Sequence, residues 1–126
     1  MLVVCHLAAL LAAVLHVFIW TLESLRFSQP SVYRRFMVPD AATAAAIRPW
    51  AFNQGFYNLF LAIGTIVGLI LWATDHEAAG KALVAFGCGS MLAAALVLLA
   101  TDRRMLRAAA FQGVFPLVAL VALLFT

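Results

Sequence analysis

The chain has 126 residues, 67% of them apolar and 10% charged, where a soluble domain carries roughly 45–50% and about 25%. A mean hydropathy of +1.08 leaves too little polar surface to coat a soluble particle of this size, which excludes a disordered, collagenous or ordinary cytosolic chain. The formal charge of +3 comes from basic residues lying between apolar runs, so they are read as setting membrane orientation rather than as a nucleic-acid footprint.

Four apolar runs follow one another, approximately Leu2–Leu22, Ala51–Ala73, Ala79–Ala100 and Leu106–Phe125. Each has the roughly 20 residues a span requires. Hydrocarbon offers the backbone no hydrogen-bond partners, and runs of this length without strand-like alternation select helices. The expected fold is an all-α membrane protein, a single domain over residues 1–126 built as a four-transmembrane-helix bundle. No Lys or Arg precedes Arg26 and no small-residue cleavage site follows the first run, so that run is expected to be a retained span rather than a signal peptide. Arg26, Arg34, Arg35 and Arg48 separate the first two runs, and Arg103, Arg104 and Arg107 lie about the last connection. The middle connection has only Lys81, beside Asp75 and Glu77. This imbalance predicts cytoplasmic first and third loops and extracytoplasmic termini. The abundance of Arg over Lys, with many Ala, hints at a GC-rich genome, and the expected location is a bacterial inner (plasma) membrane.

The first loop is long enough to hold helix of its own. Pro30 is suited to start a turn in which Val32, Tyr33, Phe36 and Met37 offer apolar surface while Arg34 and Arg35 reach toward anionic lipid headgroups. Asp40 is a plausible N-cap for the Ala-rich stretch through Ile47, and Pro49 is expected to kink or restart the chain into the second span. An interfacial elbow between the first two spans results.

Polar groups inside spans are costly, which makes each a candidate for function or for attachment between helices. His6 lies near the outer end of the first span. His16 and Glu23 are seven residues apart, within about 20° of one another on an ideal helix, with Trp20 between them on nearly the same side. Arg26 is three residues past Glu23 and is placed to form an interfacial ion pair with it. The second span opens with Asn53, Gln54, Tyr57 and Asn58, which fall within an arc of about 140°. Amides and a phenol hydrogen-bond without burying a formal charge. Gly64 and Gly68 continue near that side as a GxxxG step for a close helix contact. Gly87, Cys88, Gly89 and Ser90 make the third run suitable for close packing. Gln112, Gly113 and Pro116 mark the fourth. Glu23, the Asn53–Asn58 cluster and Gln112 are expected at similar membrane depth, and the candidate ligand-binding residues are His16, Trp20, Glu23, Asn53, Gln54, Tyr57, Asn58 and Gln112. Cys5 and Cys88 lack a CxxC or metal-ligand pattern and are read as buried thiols; neither metal nor cofactor is expected.

The stretch Asn53-Gln54-Gly55-Phe56-Tyr57-Asn58-Leu59-Phe60-Leu61-Ala62 resembles the NQGxYNxFLA signature of the small membrane proteins called domain of unknown function 1304. The family's late first-helix glutamate corresponds to Glu23, its Pro-acidic start to Pro39–Asp40, and its last-helix features to Gln112, Gly113 and Pro116. Phe27 stands where the resemblance leads one to expect tryptophan. The resemblance covers nearly the entire chain and implies the four-helix architecture without implying an activity.

Three functions are open on these residues. The first is binding or transport of a small or lipophilic molecule, with Glu23 as the protonatable group and the amides orienting the ligand. The second is an accessory or assembly subunit of a membrane complex, and the third a membrane-embedded lipid-modifying enzyme such as an isomerase. Expected partners are the bilayer, anionic lipid headgroups and a second copy or larger membrane complex, with no nucleic acid.

Overall fold

The computed structural model describes residues 1–126. All its regular elements are helical: α1 (Leu2–Trp20), a π-helical turn (Thr21–Leu25), α2 (Pro30–Tyr33), a 3-10 turn (Arg34–Phe36), α3 (Ala41–Trp72), α4 (Glu77–Thr101), a second 3-10 turn (Arg103–Met105) and α5 (Leu106–Leu123). Four of the helices are long and apolar enough to cross a membrane. α1 packs on α3, α3 on α4, α4 on α5 and α5 back on α1, while α1 barely touches α4. The long helices therefore close into an antiparallel ring. One end gathers Arg26, Arg34, Arg35, Arg48, Arg103, Arg104 and Arg107; the other has Asp75, Glu77 and Lys81.

Small residues set the spacing of this ring. On α1 the inward positions include Cys5, Ala8, Ala9, Ala12 and Ala13, all buried, and side chains this short let neighbouring backbones approach. Cys5, Ala8 and Ala9 join Trp72, Val84, Cys88, Ala119 and Ala122 in the principal core cluster. Outward positions are apolar too: Leu7, Val14, Phe60, Val67, Leu96 and Leu117 are exposed. A helix apolar on both faces suits a hydrocarbon surrounding.

The Gly64–Gly68 step is only half a packing motif. A methyl group on Gly68 would meet Leu83 Cβ at 2.8 Å and Gly80 O at 3.0 Å on α4, whereas Gly64 has nothing within 4 Å. The tight α3–α4 crossing instead pairs Gly68 with Gly80, whose absent side chain makes room for the Trp72 backbone. Trp72 also receives the His6 ring at 4.5 Å and the Lys81 ammonium at 5.3 Å, and Lys81 pairs with Glu77 at 2.7 Å. This closes the acidic end.

At the arginine end the chain turns through α2 and the 3-10 segment. Pro30 occupies the first turn of α2, and Met37 ends the 3-10 turn in the left-handed region at φ 62°. Asp40 then caps α3, its Oδ1 accepting from the Thr43 N–H at 2.7 Å. That bond holds the Asp40 carboxyl below its usual range. Of the expected kink or restart at Pro49, the restart does not occur: α3 runs unbroken for 32 residues. Proline removes one helical donor, but the helix is anchored on both sides of it. Ala44, Ile47 and Ala51 pack with Phe27, Tyr33, Val38 and Phe36, so the Ala-rich stretch and the second apolar run form one rod roughly 48 Å long.

Candidate functional site

The first helix does not run straight into the loop. The Arg26 N–H donates to Thr21 O, five residues back, at 3.0 Å, which puts an extra residue into the last turn. Such π turns are frequent at functional sites. Ser24 Oγ within this turn donates to Phe52 O of α3 at 2.8 Å. Gly55 permits the approach: a methyl group there would collide with Ser24 Oγ and meet Glu23 Cβ at 3.1 Å. The glycine of the NQG triplet is thus the seat on which the Glu23 turn rests.

Glu23 is thereby aimed at α3, where its Oε2 accepts from Asn58 Nδ2 at 3.2 Å. Asn58 Nδ2 also lies 3.4 Å from Gln54 O, one turn back on its own helix. The amide is buried and the carboxyl side chain half-buried. The expected Glu23–Arg26 ion pair is absent: Arg26 reaches Gln29 Oε1 at 3.5 Å instead, because the π turn rotates the two residues apart.

Beside this pair is a cavity of about 540 Å³. Phe18 and Ile19 line it from α1, Leu22 and Glu23 from the π turn, Gln54 and Asn58 from α3, Ala94 and Leu98 from α4, and Met105, Arg107, Ala108, Phe111 and Gln112 from the last connection and α5. Arg35 and Phe36 close it from the 3-10 turn. A second space of about 400 Å³ lies on the other side of Glu23, Gln54 and Phe36, between the elbow and the start of α3. Asn53 and Trp50 line that one, with Phe27, Val38, Ile47 and Ala51. Glu23 therefore borders both spaces. The larger cavity lies within the general 300–1,000 Å³ range of small-molecule sites and has their composition, apolar walls with a few convergent polar groups.

The structure brings together Glu23, Gln54, Asn58 and Gln112 on one cavity and sets Asn53 on its neighbour. It does not bring in three other candidates. His16 is buried in the bundle, where its Nδ1 lies 2.8 Å from Ala12 O; the extra residue in the π turn takes Glu23 off the face that a uniform helix would share with it. Trp20 packs against Phe56 with ring centroids 5.9 Å apart, and its Nε1 is buried without a hydrogen-bond partner. Tyr57 is 60% exposed on the outer face of α3. Arg35, Phe36 and Arg107 line the cavity although they are not among the sequence-derived candidates. The two arginines are visible as positive charge in the loops; their convergence depends on the fold of the elbow.

The charges around the site are disposed unevenly. Asp102 accepts from Arg104, with a closest distance of 2.8 Å, and this bond holds its carboxyl below the usual range. Arg35 and Arg107 form no ion pair, the pairs in the chain being Lys81–Glu77 and Arg104–Asp102.

No curated protein and no solved structure matches the chain. Residues 10–124 match the family described as Protein of unknown function (DUF1304). That range takes in Glu23, Gly55, Asn58 and Gln112, and with it the chain belongs to the DUF1304 family.

Proposed function

We propose that this protein is an integral membrane protein that binds, and with proton coupling carries, a small lipophilic molecule in the cavity beside Glu23. The observation that carries the reading is the meeting of Glu23, Asn58, Gln54 and Gln112 on one cavity walled by apolar residues. A carboxyl that exchanges a neutral amide partner for a ligand is suited to couple binding to proton movement. The excess of arginine at one end supports an orientation with that end cytoplasmic and both termini extracytoplasmic in a bacterial inner membrane. There Arg34, Arg48 and Arg103 meet anionic headgroups, and the elbow rests at the interface.

Proteoliposome flux with a panel of lipophilic cations and weak acids tests the reading. Saturable movement that falls in both Glu23→Gln and the cavity-filling Ala94→Phe is expected. Movement indifferent to both substitutions, or none, overturns it.

A second reading, attachment to another helix, is favoured by one contact surface. Tyr57 turns a 60% exposed side chain outward in the middle of an apolar helix, and a phenol there gains from a hydrogen-bonding partner. A second copy or another membrane subunit seated on this face would give native complexes that dissociate in Tyr57→Leu but retain cavity binding.

A further inference from the structure

Resting on the cavity reading above, we infer that the ligand is a single-chain amphiphile with an anionic head, a carboxylate or phosphate, held by Arg35 and Arg107. The chain has five side-chain carboxylates. Glu23 is taken by Asn58, Asp40 by the Thr43 N–H, Glu77 by Lys81 and Asp102 by Arg104. The fifth, Asp75, lies in the turn between α3 and α4, at the opposite end of the bundle. None of them pairs with Arg35 or Arg107, and both of these residues line the cavity.

Each unpaired guanidinium is a forked donor that matches a carboxylate or phosphate in geometry as well as charge. Glu23 contributes at most one negative charge to the same walls, so the site retains an excess of positive charge for an anion. Gln54 and Gln112 supply neutral hydrogen-bonding groups at the same cavity.

The remaining lining accounts for the tail. Phe18 of α1 and Phe111 of α5 both line the cavity, are 40% and 55% exposed, and belong to helices that are neighbours in the bundle. The proposed entry for the tail is the apolar flank between these two helices. An amphiphile entering sideways from a leaflet keeps its chain among Phe18, Leu22, Leu98 and Phe111 while its head meets the arginines. A volume of about 540 Å³ suits one chain rather than the two of a bilayer phospholipid.

The test is calorimetric titration of the protein in phosphatidylcholine nanodiscs, against empty discs, with dodecyl phosphate, dodecanol and inorganic phosphate. Dodecyl phosphate is expected to bind saturably, with dodecanol and inorganic phosphate each at least about tenfold weaker. Arg35→Gln and Arg107→Gln are each expected to weaken dodecyl phosphate about tenfold and leave dodecanol unchanged, as befits a lost charge-assisted bond. Both side chains are exposed, so these variants keep the fold; Arg35→Lys, retaining charge without the fork, falls between. Ala94→Phe abolishes every saturable component. Equal binding of dodecanol and dodecyl phosphate, both blocked by Ala94→Phe, overturns the anionic head and leaves the cavity reading standing. Inorganic phosphate binding as tightly as dodecyl phosphate overturns the amphiphile in favour of a free anion. Binding that Ala94→Phe does not touch, or no saturable binding at all, overturns both readings.

Discussion

Gly55→Ala isolates the contact on which the site depends. The new methyl group collides with Ser24 Oγ and comes within 3.1 Å of both Glu23 Cβ and the Ser24 backbone nitrogen. The hydroxyl can rotate away only by giving up its 2.8 Å bond to Phe52 O, a loss of about 0.5–1.5 kcal/mol. Crowding against the π-turn backbone adds about 1–3 kcal/mol, since close-packed interiors yield little to an inserted methyl. Replacing glycine within a helix returns about 1 kcal/mol. The net expectation is a destabilisation of about 0.5–3.5 kcal/mol together with weaker ligand binding, because the turn that lifts away takes Glu23 from Asn58. Gly64→Ala is the matched control. With nothing within 4 Å of the added methyl, it should be neutral or stabilising by up to about 1 kcal/mol. Unfolding free energies measured by steric trapping in lipid discs, with binding read on the same samples, compare the two. Equal stability of both variants, with binding intact in Gly55→Ala, would refute the close seating of α3 on the Glu23 turn.

Other consequences follow from the same geometry. Asn58→Leu removes the amide donor to Glu23, and a double-mutant cycle with Glu23→Leu, which removes the acceptor, should show a coupling of about 0.6 kcal/mol, reaching about 1.7 at most; a coupling of zero contradicts the hydrogen bond. Asp102, whose folded-state carboxyl titrates below its ordinary range because Arg104 bonds it, contributes stability that is full above the unfolded carboxylate range and is lost as pH falls through the lowered folded value. The Tm difference between wild type and Asp102→Asn should therefore be constant near neutral pH and disappear in acid, and a difference that grows on acidification contradicts the assignment. Cys5 and Cys88 are both buried to 0% exposure, so a membrane-permeant maleimide should label neither until the bundle unfolds; rapid labelling of the native protein argues against the α1–α4–α5 core.

Hydropathy makes the four long helices readable in the chain because each needs only its own residues to satisfy its backbone. The depth of the polar groups is readable for the same reason: once the spans alternate in direction, Glu23, Gln54, Asn58 and Gln112 must lie near one end. What a uniform 100° wheel misses is the π turn. One extra residue between Trp20 and Arg26 separates Glu23 from the His16 face and from Arg26, and the turn that holds it is bonded through Ser24 to a different helix. Pro49 misleads in the opposite sense, since its local preference to interrupt a helix is outweighed by packing from Phe27, Tyr33 and Val38 on residues far along the chain. Gly64 and Gly68 look equivalent by spacing, and only the position of α4 tells them apart. Arg35 and Arg107 belong to separate loops, so nothing local in either announces that they share a cavity.

A cryo-electron microscopy map of the protein in phosphatidylcholine nanodiscs supplemented with dodecyl phosphate would show where the amphiphile sits. Elongated non-protein density is expected with its head at Arg35 and Arg107, its body beside Glu23 and Asn58, and its tail toward Phe18 and Phe111. Side chains of Leu22, Leu98 and Phe111 packed against one another, with no space between them and the amphiphile elsewhere, would contradict it.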